Sequence, residues 1–79
     1  MIDVETRQRL LVHDEGNAGP YLLVPLDQLE DVRRVLREKH IRYSLSPDAI
    51  QLDGRPVIAI VDFGSQADVQ SIQAALDAA

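Results

Sequence analysis

Asp62, Phe63 and Gly64 close an apolar run, VIAIVDFG at residues 57–64, that leads into a helix-like segment. An aspartate set after a strand in this way can hold magnesium against a phosphate, as phosphoryl-transfer enzymes do. That chemistry also needs a glycine-rich loop over the phosphates, a strand lysine and a catalytic-loop aspartate. The chain offers none of them, and its one lysine, Lys39, falls at the end of a predicted helix. Structural roles account for the same residues: Asp62 ends a strand, Phe63 plugs the core, and Gly64 leads to Ser65 as a helix cap. Gly64 and Ser65 also open a helix whose free N–H groups and positive dipole end suit an anion, but Asp62 and Asp68 would repel one.

His13, Asp14 and Glu15 are the residue types of a metal or acid–base cluster. Neighbours along a strand point to opposite faces, so the three do not converge by themselves. His40 stands at a helix C-terminus, where an imidazolium is favoured without any further role. Neither histidine has a nucleophile or an orienting partner in view. Ser44, Ser46, Ser65 and Ser71 lack a GxSxG setting. DEGNAGP, residues 14–20, has neither GxGxxG nor GxxxxGK spacing and leads into a strand; as an exposed tip it suits contact with a partner. These residues imply no catalytic group, no cofactor and no metal, and hence a protein that is not an enzyme.

The elements that would position them follow from periodicity and turn signals. RQRLLVH (residues 7–13) and PYLLVPL (residues 20–26) read as two strands, joined as a hairpin through Gly16, Asn17 and Gly19. Residues 1–6 fray or extend the first strand. Asp27 reads as an N-cap with Glu30 as its capping-box acid, opening a helix over residues 26–39. Leu29, Val32, Val35 and Leu36 form its apolar stripe, with Glu30–Arg34 and Arg34–Glu38 as i, i+4 pairs on the other side. IRYSL (residues 41–45) alternates, with Ile41, Tyr43 and Leu45 on one side. SPD supplies a turn, AIQL (residues 49–52) a short strand, and Asp53-Gly54 a strong hairpin signal. Pro56 confines its neighbourhood to a strand start, and residues 57–63 form a strand apolar on both faces. The tail from Ser65 reads as a helix with Ser65 as N-cap, Asp68 at N3, and Val69, Ile72, Leu76 and Ala79 along one face.

At 79 residues there is room for a single domain spanning the whole chain, residues 1–79. Such a domain buries only roughly 60–65 % of the surface its unfolded chain exposes, so its core is marginal. With no cysteine, disulfides, CxxC zinc sites and thiol chemistry are excluded, and oligomerisation is the expected supplement. No apolar run suits a signal peptide or a membrane span, so a soluble, cytoplasmic protein with no membrane partner is expected. A net charge of −5 forfeits the counterion release that drives nucleic-acid binding. Three aromatics are too few for a base-stacking platform, so no nucleic-acid partner is expected.

The element order ββαβββα predicts an α+β domain: an antiparallel sheet of four to five strands with two helices packed on one face. As a pattern of elements this resembles the ferredoxin-like group, which includes ACT-type regulatory domains. The group's usual last strand is missing after the second helix, and the first strand here would fill the vacant edge, as in a circularly permuted version. No functional residues carry over from the resemblance. The uncovered sheet face would carry either Val57, Ala59, Val61 and Phe63 or Ile58 and Ile60, joined by Leu11, Tyr21 and Leu23. Such a patch, of about 400 Å² or more, marks an interaction surface. The expected function is therefore a protein-interaction module, a homodimer or a small subunit of a larger complex. An acidic binder of a basic partner, such as an immunity or antitoxin protein, is one case. The alternative is an ACT-like sensor holding a small molecule at a dimer seam.

Overall fold

The structure, a computed structural model, describes residues 1–14, 19–46 and 57–79. The strand expected at residues 49–52 and the turns on either side of it lie outside the described residues, as does Glu15. The rest forms an α+β arrangement of one three-stranded antiparallel sheet and two α-helices. Strand β1 (Tyr21–Pro25) is followed by a 3₁₀ turn (Leu26–Gln28) and helix α1 (Leu29–Glu38). Strand β2 (Ser44–Leu45), strand β3 (Ile58–Asp62) and helix α2 (Val69–Asp77) complete the order.

Strand β3 lies in the centre, antiparallel to both neighbours. That position explains its composition, because a central strand with β-branched residues at both parities packs on either face. Leu22 pairs with Val61, Val24 with Ala59, and Leu45 with Val61 from the other side. Leu22, Val24 and Val61 are fully buried beneath Val32 and Leu36 of α1 and Ile72 and Leu76 of α2. Phe63 closes this core just past β3, as its sequence position suggests. The shortest dimension of the Cα trace is 18 Å. One sheet and one helical layer about 10 Å apart fill that depth.

The helix boundaries differ from the sequence expectation at both N-termini. Asp27 does not cap α1; the chain leaves Pro25 through the 3₁₀ turn, and neither start has a side-chain cap. Pro25 fixes φ at −53° and so drives the tight turn. At α2 the cap is Asp68, not Ser65: its carboxylate accepts from the Gln70 and Ser71 N–H groups. Residues 64–67 form a turn instead, closed by the Ala67 N–H on the Gly64 carbonyl. Helix α1 ends on a left-handed His40 (φ 56°). The His40 N–H reaches the Arg37 carbonyl and the Ile41 N–H the Leu36 carbonyl, the two bonds of a Schellman ending. The surface ion pairs run i, i+3 (Arg33–Glu30, 2.8 Å; Arg34–Asp31, 3.8 Å) in place of the i, i+4 pairs expected.

The N-terminal segment departs most. Residues 7–13 are not a strand; only two isolated bridges form, Ile2 with Arg9 and His13 with Tyr21. The segment is nonetheless held along its length. Its terminal amino group donates to the Leu76 carbonyl, and Leu10 is buried in the core. Two glutamine amides act as clamps. Gln28, 5 % exposed, accepts from the Val4 N–H (3.0 Å) and donates to the Ile2 carbonyl (2.6 Å). Gln73 accepts from the Val12 N–H (2.8 Å) and donates to the Leu10 carbonyl (2.9 Å). Each amide thus binds the C=O of one residue and the N–H two further on, as a neighbouring strand would. In this way the segment meets the requirement that buried backbone polar groups find partners.

Candidate functional site

The register of the sheet decides which side the helices cover. Tyr21 and Asp62, Leu23 and Ile60, and Pro25 and Ile58 face each other across the pair β1–β3, and Ser44 faces Asp62 from β2. Side chains alternate along a strand, so these residues lie on the side away from α1 and α2. Tyr21, Leu23, Ile58 and Ile60 are half-buried. His13 extends this side, its ring stacked on Tyr21 with centroids 5.1 Å apart and 18° between planes. Leu11, 50 % exposed, shares the parity of His13.

The seven residues expected at an interaction face are therefore divided. Leu11, Tyr21 and Leu23 lie on the helix-free side. Val61 and Phe63 are core residues, 0 % and 8 % exposed, and Ala59 shares their parity opposite Val24. Val57 precedes β3, its carbonyl accepting from the Leu26 N–H. Of the two alternatives left open by the alternation of β3, the pair Ile58 and Ile60 lies on the helix-free side. Alternation defines two sets but carries no information on which set the helices cover; the register with the buried Leu22 and Val24 supplies it.

The other motifs are placed as follows. Asp62 sits on the helix-free side between Tyr21 and Ser44. Asp68 belongs to the N-cap, where the Ser71 hydroxyl also donates to it at 2.8 Å. That hydroxyl, with the N–H groups of Ser71 and Gln70, holds the Asp68 carboxyl below the usual carboxylate range. The start of α2 consequently presents a carboxylate to solvent, not free N–H groups for an anion. Among the described residues, no three of His, Asp and Glu come together as a metal site, and no helix is long and apolar enough to cross a membrane. Arg33 donates to the Tyr43 hydroxyl (3.0 Å) and to Glu30 (2.8 Å); these two partners raise the guanidinium above its ordinary pKa. The link ties α1 to the strand end at β2.

Two grooves border this framework. One, of about 530 Å³, lies where Ile41 and Arg42 approach the turn after β3, with Phe63 and Ile72 among its lining residues. The other, of about 260 Å³, lies on the helix-free side between the N-terminal segment and β1. The clamps Gln28 and Gln73, which shape this second region, were not apparent as functional residues from the sequence. Gln28 carried one signal, a neutral amide just after the apolar strand, but an amide there is equally at home in solvent. Comparison with models of known protein families, with curated proteins and with solved structures found no match for this chain.

Proposed function

We propose that this chain is a protein-interaction module whose docking surface is the helix-free side of the sheet, with a second copy as its simplest partner. The observation that carries the reading is the apolar set Leu11, Leu23, Ile58 and Ile60 on a side that neither helix covers. A twofold pairing would bring like apolar surfaces together without requiring any other molecule. The strand order β1-β3-β2, with the His13–Tyr21 bridge on the outer edge of β1, supports a permuted ferredoxin-like plan for the domain. Two strands of five residues and one of two give the face a plan of roughly 200 Å². That is about a quarter of the 800 Å² per partner of a standard interface, so self-association through the face alone belongs to the weak, concentration-dependent class.

Sedimentation velocity from micromolar to millimolar protein tests this reading. A monomer–dimer equilibrium is expected, and Leu11→Lys, at a residue half exposed in the single chain, shifts it toward monomer without altering the fold. A single monomeric species throughout that range refutes it. An acidic chain of this kind also suits a basic protein partner, as an immunity or antitoxin protein would have, with association that slows as salt rises. The 530 Å³ groove beside Arg42 supports a second reading, a small-molecule sensor. A thermal-shift screen of amino acids and nucleotides with no stabilisation counts against that one.

A further inference from the structure

Among the described residues, the outer edge of β1 is only half occupied. His13 and Tyr21 exchange both backbone hydrogen bonds, at 2.8 and 2.9 Å, as a closely spaced antiparallel pair does. In that register the next such pair is Leu11 with Leu23. It is not made. The even-numbered residues serve β3, as the bonds of Pro20 to Phe63 and of Leu26 to Val57 show. The N–H and C=O of Leu23 therefore point outward, and among the described residues neither has a partner.

Gln73 explains the gap. It binds the Leu10 carbonyl and the Val12 N–H, which lie on the edge of the segment turned away from β1. The amide of α2 thus occupies the place of a strand on the far side of the segment, where the Met1 carbonyl also accepts from the Leu10 N–H. The groove of about 260 Å³ opens between Leu11 and Leu23, walled by Leu10, Leu11, Leu23, Pro25 and Ile58. Two charged side chains at its margin are already engaged: Arg9 with Asp77 at 3.2 Å, and Asp3 with the N–H groups of Glu5 and Thr6. Thr6, Gln8 and His13 also line it, and the β1 edge itself offers one backbone donor and one backbone acceptor beside apolar walls. An extended polypeptide matches all three, since its N–H and C=O alternate with side chains at the same spacing.

We propose that the β1 edge at Leu23 docks an extended segment of a partner protein, with Gln73 keeping the chain's own Leu11 from closing it. The proposal rests on the interaction-module reading and names the partner's chemistry: backbone in extended form, followed by an apolar side chain in the groove. Among the described residues the strands with a free edge are β1 itself, already bridged by His13 and ended by Pro25, and the two-residue β2; neither offers a full extended run, which points to a different protein. Edge pairing uses the Leu23 backbone in the plane of the sheet and stacking uses side chains perpendicular to it, with Leu11, Leu23 and Ile58 touched by both.

The test follows the Leu23 amide by ¹⁵N NMR and hydrogen exchange. The probe is an acetylated, amidated peptide of alternating valine and threonine flanked by lysines. In the free protein this amide is expected to exchange as an open edge does. Added peptide should shift its resonance and slow its exchange. Two further peptides, N-methylated at the valines or at the threonines, should differ, one keeping and one losing the effect, because only one peptide edge faces β1. Gln73→Leu should release the segment, raise protection at Leu23 without any peptide, and abolish the peptide response. An unchanged Leu23 amide with the parent peptide overturns the proposal. So does equal binding of both methylated peptides, or a Gln73→Leu protein that behaves as the wild type at Leu23. A protein that is monomeric by sedimentation but responsive at Leu23 keeps the edge and loses the dimer, which separates the two failures.

Discussion

Val61 and Ile60 are neighbours on the central strand, and replacing each by alanine asks which side of the sheet is core and which is interface. Val61 is fully buried between Leu22 and Leu45 and under both helices. Removing its two methyl groups loses about 1.6 kcal/mol of transfer energy. The cavity left under α1 and α2 raises the total to about 2–3 kcal/mol. Ile60 loses more carbon, but it is half-buried, so in the isolated chain its replacement costs about 1 kcal/mol. Dimerisation changes the second number only. Protein at ten times its dissociation constant gains about 1.4 kcal/mol from association, and Ile60→Ala forfeits that gain along with its own contacts. Urea unfolding at low micromolar and at near-millimolar concentration is the assay. Val61→Ala should show the same loss at both concentrations, whereas the loss for Ile60→Ala should grow by about 1 kcal/mol or more. A loss for Ile60→Ala that does not grow with protein concentration refutes association through this side. An Ile60→Ala that costs more than Val61→Ala in dilute solution refutes the assignment of the two faces.

Three further outcomes probe the frame that holds the site. Gly19 has φ 85° and a Cβ there would sit 2.9 Å from the Gly64 carbonyl carbon and the Ser65 nitrogen, whereas one on Gly64 (φ 84°) would meet nothing within 4 Å. Gly64→Ala should therefore cost about 1–2 kcal/mol for the left-handed backbone alone; Gly19→Ala should cost more in the same urea titration, because fixed backbone must also move. His40→Gly should stabilise the chain by about 1 kcal/mol, since a glycine relieves the left-handed ending of α1 while keeping both of its hydrogen bonds. Asp68 has a folded pKa lowered from its ordinary 3.8, so its capping contribution is complete above that value and is lost as pH falls through the folded one. Thermal unfolding below pH 3.8 should show this loss for the wild type but not for Asp68→Asn, which caps without titrating.

The apolar stripe of α1 and the two-sided run of β3 were legible because they are periodic over several residues and bury what the period implies: Val32, Leu36 and Val61 are all fully buried. The helix starts were harder to read because Asp27 and Ser65 have cap-forming side chains in the right neighbourhood, and capping preference says nothing about where the turn itself falls. Pro25 moved one start into a 3₁₀ turn, and the turn at Gly64 moved the other three residues on to Asp68. The N-terminal segment was misread for a different reason. RQRLLVH alternates as a strand does, and Leu10, Leu11 and Val12 do sit as alternation requires, with the exposed Leu11 between the buried Leu10 and the half-buried Val12. What the pattern lacks is any record of its hydrogen-bond partner, which is a glutamine on α2 for Leu10 and Val12 and β1 only at His13.

That substitution bears on why the edge at Leu23 is open. A fourth strand zipped onto β1 would satisfy Leu11 and Leu23 together and extend the sheet, but each glutamine clamp also satisfies a part-buried donor and acceptor. The two solutions differ little in hydrogen-bond count, and a typical net bond contributes only about 0.5–1.5 kcal/mol. The choice between them therefore falls to packing. The clamped arrangement sends Leu10 into the core beside Ile72 and Leu76 and fastens the amino terminus to the end of α2. It supplements a small, cysteine-free core from within the chain. Its consequence is an exposed edge, and native sheets usually cover, shorten or charge such edges. β2 follows that rule, being two residues long. β1 follows it in part, through the His13 bridge at Tyr21 and through Pro25, which has no N–H, and leaves the Leu23 N–H and C=O between them, with Leu11 across the gap. An edge left apolar and unpaired beside an apolar face is costly for a solitary monomer and useful to a protein that meets a partner there.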